Sequence, residues 1–280
     1  MAIKLIIDSA ADICLKEAEE LGIVMLPMII SFGSEDYLDG VDLLPKQFFE
    51  KLVEGDVFPK TSQVTPYRFL EEYEKLEKDE EAIVITISSK LSGTYNAAKM
   101  ASKGFNNVYV VDSLNACIGE KLLVLHALEL IKKGLSAKEI YNSLEEIKGK
   151  IKLIAMVNTL EYLRKGGRIS SFTAIAGELL SIKPVVGVYE GKIKQLGKAR
   201  GSKNANNLLN KIVNDTNGID FNMPFGVVYS GLDDTLAKKY IKDSCHLWEN
   251  QTDNIPIYCI GSTIGTHIGP GAIGVAFFEK

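Results

Sequence analysis

The stretch from Ala82 to Ser102, AIVITISSKLSGTYNAAKMAS, decides the predicted fold of this chain. It opens with β-branched apolar residues between Ile83 and Ile87, which are typical of a strand buried on both faces. It closes with an alanine-rich run, Asn96 to Ser102, which predicts a helix because alanine has the highest helix propensity. A buried strand followed by a helix is the repeating unit of α/β proteins, so this class is predicted.

Three small residues of this stretch, Ser92, Gly93 and Thr94, are expected at the N-terminus of the helix and at the carboxyl end of the strand. Free backbone N–H groups and the helix dipole make such a position a ready anion site. Open α/β sheets also bind their ligands at this edge. The alternative is that Ser92 or Thr94 only caps the helix. The stretch alone leaves both interpretations open.

The same alternation begins at the N-terminus of the chain. Ile3 to Ile7 predicts a strand, Ala10 to Leu21 a helix and Ile23 to Ile30 a second buried strand, so the sheet is predicted to be parallel. The pattern changes near Gly149, and we place a domain boundary at about residue 150. Residues 1–150 are therefore expected to form an α/β domain with a mostly parallel sheet flanked by helices.

Residues 151–280 are predicted to form a second α/β domain with a mixed sheet and helices. Pro184 to Tyr189 and Lys192 to Leu196 predict an antiparallel hairpin that turns at Glu190-Gly191. The apolar stretch Phe172 to Ile182 predicts a helix with little polar face. Such a helix either covers an apolar cavity or belongs to the core, and the core is the simpler interpretation.

The composition excludes several classes of protein. The chain has 280 residues, of which 46% are apolar and 24% charged, and its formal charge of -4 gives no reason to expect a nucleic-acid partner. No apolar run approaches the about 18 residues of a membrane-spanning helix, and the N-terminus does not resemble a signal peptide. The four cysteines are far apart and form no C-x-x-C pair, which argues against a zinc site and suits a reducing cytoplasm.

A second group of hydroxyl residues lies in a predicted loop that follows Pro59. Thr65 is interpreted as the N-cap of the next helix, which leaves Thr61 and Ser62 without a structural role. This loop comes one strand-helix unit before Ser92. Two hydroxyl loops at neighbouring strand ends would converge on one acceptor-rich group, because a carboxylate or phosphate needs several hydrogen-bond donors.

Two histidines differ in their surroundings. His126 lies in a predicted long helix between leucines and is interpreted as a packed helix residue. His267 lies in a predicted glycine-rich loop, where it would be a base, a donor to an anion or a turn residue. With Ser92 it would form the nucleophile–base pair of an acyl hydrolase or transferase, although Ser92 is not part of a G-x-S-x-G elbow. That enzyme stays open as an alternative to ligand binding.

No metal or nucleotide cofactor is predicted. The acidic residues before the second helix lack the ordered spacing of a calcium loop and are expected to face water; they are Glu35, Asp36, Asp39 and Asp42. The glycines that match G-x-G-x-x-G are Gly269, Gly271 and Gly274. A dinucleotide site would need a helix after them, but a strand-like run ends the chain there.

Five short motifs together resemble the DegV family of bacterial fatty-acid-binding proteins. They are Asp8-Ser9 with Asp12, Lys60-Thr61-Ser62-Gln63, Leu91-Ser92-Gly93-Thr94-Tyr95, Gly166-Gly167-Arg168-Ile169-Ser170 and Thr266-His267-Ile268-Gly269-Pro270-Gly271. Each motif is weak alone, but all occur in the family's order from one end of the chain to the other. One departure is visible, since Val64-Thr65-Pro66 stands where the family usually has Pro-Ser.

The resemblance implies two α/β domains with one long-chain fatty acid in a tunnel between them, and no cofactor. In its best-understood, FakB-like branch, the protein performs no chemistry itself. It presents the bound acid to a separate fatty-acid kinase, which makes an acyl phosphate for phospholipid synthesis. The resemblance therefore implies a cytoplasmic lipid carrier, with a fatty-acid kinase as partner and transient membrane contact for lipid exchange.

The resemblance also implies roles for individual residues. Two hydroxyl residues, Thr61 and Ser92, would hold the carboxylate. The other residues expected at this head group are Ser62, Gly93, Thr94 and His267. The cations expected to face the kinase or a transferred phosphoryl group are Arg168 and Arg200.

Overall fold

The structure is a computed structural model that describes residues 2–169 and 181–280. In its first half, the strands are β1 (Ala2–Asp8), β2 (Val24–Leu26), β3 (Ile29–Phe32), β4 (Glu35–Leu38), β5 (Lys60–Ser62), β6 (Glu80–Thr86) and β7 (Val108–Asp112). They form two sheets. The first is parallel with the order β2-β1-β6-β7, and the second is antiparallel with the order β4-β3-β5.

The parallel sheet forms the core of the first half. The helices that accompany it are α1 (Leu15–Leu21), α2 (Pro45–Glu54), α3 (Pro66–Tyr73), α4 (Thr94–Ala101), α5 (Cys117–Lys132) and α6 (Ala137–Ile147). In the central strands β1 and β6, consecutive residues are buried, for example Ile6 and Ile7, and Val84 and Ile85. Consecutive side chains of a strand point to opposite faces, so both faces of this sheet are covered.

The second half is built on a mixed sheet of β8 (Ile151–Met156), β9 (Ile182–Tyr189), β10 (Lys192–Arg200), β11 (Phe225–Tyr229), β12 (Ile257–Cys259) and β13 (Ile273–Phe278). The order is β10-β9-β8-β13-β11-β12, and only the β11–β12 pair is parallel. The helices described here are α7 (Glu161–Lys165), α8 (Ser202–Asn214), α9 (Thr235–Asp243) and α10 (Ser262–Ile268). The predicted α/β class, with one parallel and one mixed sheet, is confirmed.

The predicted hairpin at Glu190-Gly191 is confirmed. Both turn residues have positive φ, 51° and 77°, which matches the twist of a two-residue hairpin. The arms are longer than predicted, because β9 begins at Ile182 and β10 continues to Arg200. Residues 172–180 of the predicted helix Phe172 to Ile182 lie outside the described part of the chain.

Two predicted elements of the first half are interrupted. The strand expected from Ile23 to Ile30 divides at Pro27, so β2 joins the parallel sheet and β3 the antiparallel one. Proline has no N–H to donate to a strand ladder, which explains the break. The helix expected from Ala10 to Leu21 divides at Asp12, whose φ of 54° ends a short 3-10 turn before α1 begins.

Two residue groups expected in loops lie in regular structure. Thr61 and Ser62 belong to β5 and pair with Ile30 and Ile29 of β3. His267 lies in the last turn of α10, a helix of 7 residues that begins after Gly261 and ends at Gly269. Both predictions were wrong. Gly261 and Gly269 flank α10 and Gly265 lies inside it, so the glycines do not make this segment a loop, and the partner strand of β5 is distant in sequence.

The prediction that Asp39 faces water was also wrong. Asp39 is 2% exposed, and its carboxylate accepts the backbone N–H groups of Ser262 and Thr263. The other acidic residues of this segment, Glu35, Asp36 and Asp42, are less enclosed than Asp39.

Among the described residues, none of the helices combines the length and apolar character needed to cross a bilayer.

Candidate functional site

A cavity of about 240 Å³ lies between the two halves of the chain. Its volume is far above the roughly 10–15 Å³ that one water requires. The mixed sheet contributes one wall, made of Leu153, Ala155, Val186, Val188, Ile193 and Val228. The first half, including the start of α5, contributes the opposite wall, made of Met28, Ile87, Leu91, Ala116 and Cys117. The cavity is therefore apolar over most of its surface and is shared by both halves.

Strand alternation explains how the mixed sheet forms its wall. Leu153 and Ala155 are two residues apart on β8, so they point to the same face. Their register partners on β9 are Val188 and Val186, which line the cavity beside them. The residue between them, Ile154, points to the opposite face and packs in a separate core cluster. One face of the sheet thus packs against its helices, and the other lines the cavity.

Polar side chains gather in one part of the cavity. They are Thr61, Ser62, Gln63, Ser92, Arg168, Thr263 and His267. Ser62 and Gln63 are exposed, so this part of the cavity opens toward solvent. Six of the eight predicted head-group and cation residues line the cavity together: Thr61, Ser62, Ser92, Gly93, Arg168 and His267. The two that do not are Thr94 and Arg200.

Ser92 makes the capping contact that its position predicts, and its binding role stays a prediction. Its Oγ accepts the backbone N–H of Thr94 at 3.3 Å and lies 2.9 Å from the Thr94 Oγ1. It therefore helps to cap α4, whose N-cap residue is Gly93, and it also lines the cavity. Thr94 is completely buried. The Thr94 hydroxyl supports Ser92 from behind rather than facing the cavity.

The side-chain amide of Gln63 comes very close to Gly93. A methyl group added at Gly93 would overlap the side-chain amide of Gln63. Both residues line the cavity. The absence of a side chain at Gly93 therefore lets β5 and the start of α4, two elements distant in sequence, approach one another at the polar end.

His267 is held between the two halves. Its Nε2 lies 2.9 Å from the Oγ1 of Thr61, and a methyl group at Gly166 would overlap its ring. Burial, and to a smaller extent the positive charge of Arg168, lower the pKa of His267 from 6.5 to about 4. The imidazole is thus neutral at physiological pH.

Arg168 brings a positive charge to the polar end. Its Nε donates to the carbonyl of Leu91 at 3.2 Å, and its Nη1 donates to the carbonyl of Gly166 at 2.6 Å. Burial lowers the pKa of this guanidinium. Within residues 2–169 and 181–280, Arg168 forms no salt bridge with a carboxylate. Arg200, by contrast, is exposed at the end of β10, opposite Ile182.

The described residues do not form the geometry of a serine hydrolase. The imidazole of His267 contacts the Thr61 hydroxyl, while the Ser92 hydroxyl contacts Thr94. The Nδ1 of His267 is buried and has no hydrogen-bond partner among the described residues, so no described carboxylate orients the ring. A catalytic triad needs both the serine–histidine bond and that orienting group.

Sequence reasoning missed two residues that hold α10 in place. Asp39 accepts the N–H groups of Ser262 and Thr263 at 3.1 and 3.2 Å, and Asp12 accepts the N–H of Gly261 at 2.9 Å. Asp12 was noted only as part of a family motif. No local pattern could identify these bonds, because their partners are more than two hundred residues away along the chain.

Together, the fold and the cavity define an α/β protein that encloses a mostly apolar cavity between a parallel and a mixed sheet. The family profile described as "Uncharacterised protein, DegV family" matches residues 2–280. A DegV domain-containing protein of Clostridium perfringens is 36% identical over 288 aligned residues, which cover 96% of this chain and 95% of that protein. The chain belongs to the DegV family.

Two solved structures share the whole fold. One is a DegV family protein from Thermus thermophilus, described by its fatty acid binding. It has a TM-score of 0.88 and 31% identity, and the match covers 100% of both chains. The other is DegV from Bacillus subtilis, described as a fatty acid binding protein. It has a TM-score of 0.83 and 31% identity over 100% of both chains. The similarity therefore extends over both halves and not over one half alone.

Proposed function

We propose that this protein binds a long-chain fatty acid, with the acyl chain in the apolar cavity and the carboxylate at its polar end. The observation that carries the proposal is that Arg168 lines the same cavity as the Thr61 and Ser92 hydroxyls, and that most of the other lining side chains are apolar. A partly buried cation without a carboxylate partner in the described residues favours an anionic head group. The fatty acid binding reported for the Thermus thermophilus and Bacillus subtilis proteins supports the same ligand class.

The apolar walls favour a long chain. Each methylene group that leaves water for an apolar site contributes roughly 0.8 kcal/mol. A chain of about sixteen carbons would thus gain on the order of 10 kcal/mol before the cost of ordering it. A polar metabolite of the same size would instead leave its own polar groups unpaired against Leu153, Val186 and Val228.

The head group would be held by hydroxyl donors rather than by the imidazole. Neutral histidine carries one N–H, and on Nδ1 it would be buried without an acceptor. On Nε2 it donates to the Thr61 Oγ1, 2.9 Å away. The Thr61 hydroxyl hydrogen is then free to point at a carboxylate oxygen. Ser92, Ser62 and the guanidinium of Arg168 supply further donors at the same end.

The later steps of the proposal rest on the family resemblance. The protein would perform no chemistry itself. It would present the carboxylate to a separate fatty-acid kinase in the cytoplasm and exchange lipid during transient membrane contact. Arg200, exposed outside the cavity, is proposed as part of the surface that meets the kinase. Thr94 would act on the head group only through Ser92.

Native mass spectrometry of the purified protein, repeated after solvent extraction and reloading with palmitate, tests this function. The double variant Thr61→Ala, Ser92→Ala should retain much less lipid because two donors to the carboxylate are lost. The matched control is Thr65→Ala, Ser89→Ala, which removes two hydroxyls from the same segments but outside the cavity wall. The control should load like the unaltered protein.

The opposite result would reject the carrier function. A protein that is empty as purified and takes up no added fatty acid contradicts it directly. Turnover of acyl esters that disappears in Ser92→Ala would instead favour the acyl hydrolase or transferase.

A further inference from the structure

Helix α10 belongs to the second half of the chain but is held largely by the first. It packs against α2, β3 and β5 as well as α7. It carries Thr263, Ile264, His267 and Ile268 into the cavity. An isolated helix of 7 residues would not be stable in water, so its position depends on these tertiary contacts.

The N-terminus of α10 meets two buried carboxylates from the first half. The Oδ1 of Asp39 accepts the N–H of Ser262 and its Oδ2 accepts that of Thr263, so each oxygen has its own donor. The Oδ1 of Asp12 accepts the N–H of Gly261. Three N–H groups without intrahelical partners are thereby satisfied, and they are satisfied across the interface between the halves.

We propose that Asp39, assisted by Asp12, is a positioning residue of the fatty-acid site: it fixes α10 so that His267 meets Thr61. The proposal rests on the proposed function for the role of that head-group pair, but the contact between His267 and Thr61 joins two side chains of this chain and is measured without added lipid. Asp39 does not line the cavity, so it acts only through the helix.

The geometry explains why a carboxylate suits this task. Two oxygens that bind the N–H groups of adjacent residues define both the rotation of the helix and its position along the axis. Thr263 and His267 are four residues apart, so they lie on the same face, with about 6 Å between them along the axis. A rotation of the N-terminal end of α10 therefore displaces the His267 ring, which packs closely against Gly166.

The variant Asp39→Asn tests the proposal, because the amide keeps the shape but replaces one acceptor by an N–H donor that faces a backbone N–H. The matched control is Asp42→Asn. Asp42 is an exposed acid of the same segment that also accepts a backbone N–H, from Leu38, but does not contact α10. Histidine side chains labelled with ¹⁵N and ¹³C are observed by NMR in lipid-free protein, and palmitate affinity is measured separately.

In Asp39→Asn we expect the Nε2 resonance of His267 to move as its bond to Thr61 weakens, while the resonances of His126 stay in place. Palmitate affinity should fall by about tenfold or more, the scale of one lost hydrogen bond to a charged group. Asp42→Asn should change neither. If Asp39→Asn does not fold, Asp12→Gly, which removes the acceptor of the Gly261 N–H and suits the positive φ of position 12, should shift the His267 resonance in the same direction.

A purely structural role would give a different result. A lower melting temperature with unchanged His267 resonances and unchanged palmitate affinity in Asp39→Asn would overturn the proposal. Unchanged His267 resonances in Asp12→Gly, where only that variant folds, would do the same. A shifted His267 resonance in a protein that never binds palmitate would leave the positioning role intact and reject the proposed function instead.

Discussion

At the scale of single residues, the site combines a cation with a neutral imidazole. The guanidinium of Arg168 is partly buried but still charged. Burial and the charge of Arg168 lower the pKa of His267, so the imidazole is neutral. The lowered pKa of His267 also affects stability. In the unfolded chain the imidazole protonates below about 6.5, but in the folded protein only near 4. Its contribution to the free energy of unfolding is therefore lost as the pH falls from about 6.5 to about 4.

The first prediction concerns this titration. In lipid-free protein, His267 should remain neutral down to a pH near 4, and bound fatty acid should raise its pKa because a nearby carboxylate favours the imidazolium. The pH dependence of the imidazole carbon shifts in NMR spectra measures both values. The variant His267→Gln identifies the resonance. A His267 midpoint near 6.5 without ligand would contradict the buried position.

The second prediction concerns the charge of Arg168. Arg168→Met should weaken palmitate binding by roughly tenfold to a hundredfold, the range expected for a lost hydrogen bond to a charged group. It should also raise the pKa of His267, since the nearby positive charge is gone. The control is Arg164→Met, which removes an exposed arginine from α7, outside the cavity wall. Isothermal titration calorimetry gives the affinities, and equal affinities in both variants would speak against a carboxylate at Arg168.

At the scale of secondary-structure elements, each part of the site is positioned by a different feature of the element that carries it. Strands β8 and β9 present apolar side chains at alternate positions, which forms a continuous wall. The start of α4 presents Ser92 and Gly93 because the chain turns there from strand to helix. The contribution of α10 differs, since its position is decided by carboxylates far away in the sequence.

The third prediction follows from the alternation on β8. Ala155 is a small residue of the cavity wall, so Ala155→Leu should fill part of the space proposed for the acyl chain. Long acids should then bind more weakly, by up to about 0.8 kcal/mol for each methylene that no longer fits. Octanoate, which needs less of the cavity, serves as the internal control. Competition against a fluorescent fatty acid across chain lengths measures the change, and an equal loss for all lengths would show general damage instead.

At the scale of the whole molecule, the cavity exists because two halves share it. The mixed sheet begins with β8, close to the boundary near residue 150 that the sequence predicts. One core cluster nevertheless crosses this point: Val228, Ile260 and Phe278 pack in the same cluster as residues of the parallel sheet. We propose 1–150 and 151–280 as the two domains, with the ligand as part of their shared interior.

The fourth prediction tests this division. Segments 1–150 and 151–280, produced separately, should each bind no palmitate. The polar end of the cavity needs both Thr61 and His267, and the acyl chain needs both cavity walls. In the whole protein, palmitate at about a hundred times its Kd should raise the free energy of unfolding by roughly 2.7 kcal/mol. Thermal unfolding with and without ligand measures this. Binding by either segment alone would show that the cavity is not shared.

The sequence by itself determined the α/β class, most strand and helix positions, the hairpin at Glu190 and, through five motifs, the family. These features depend on local periodicity and turn chemistry, which neighbouring residues decide. Only the tertiary structure decided that β5 is a strand, that His267 meets Thr61 and that Asp39 is buried beneath α10. The physical reason is that these contacts join residues far apart in the chain. Their energy comes from burial and hydrogen bonding that exist only after the two halves have packed together.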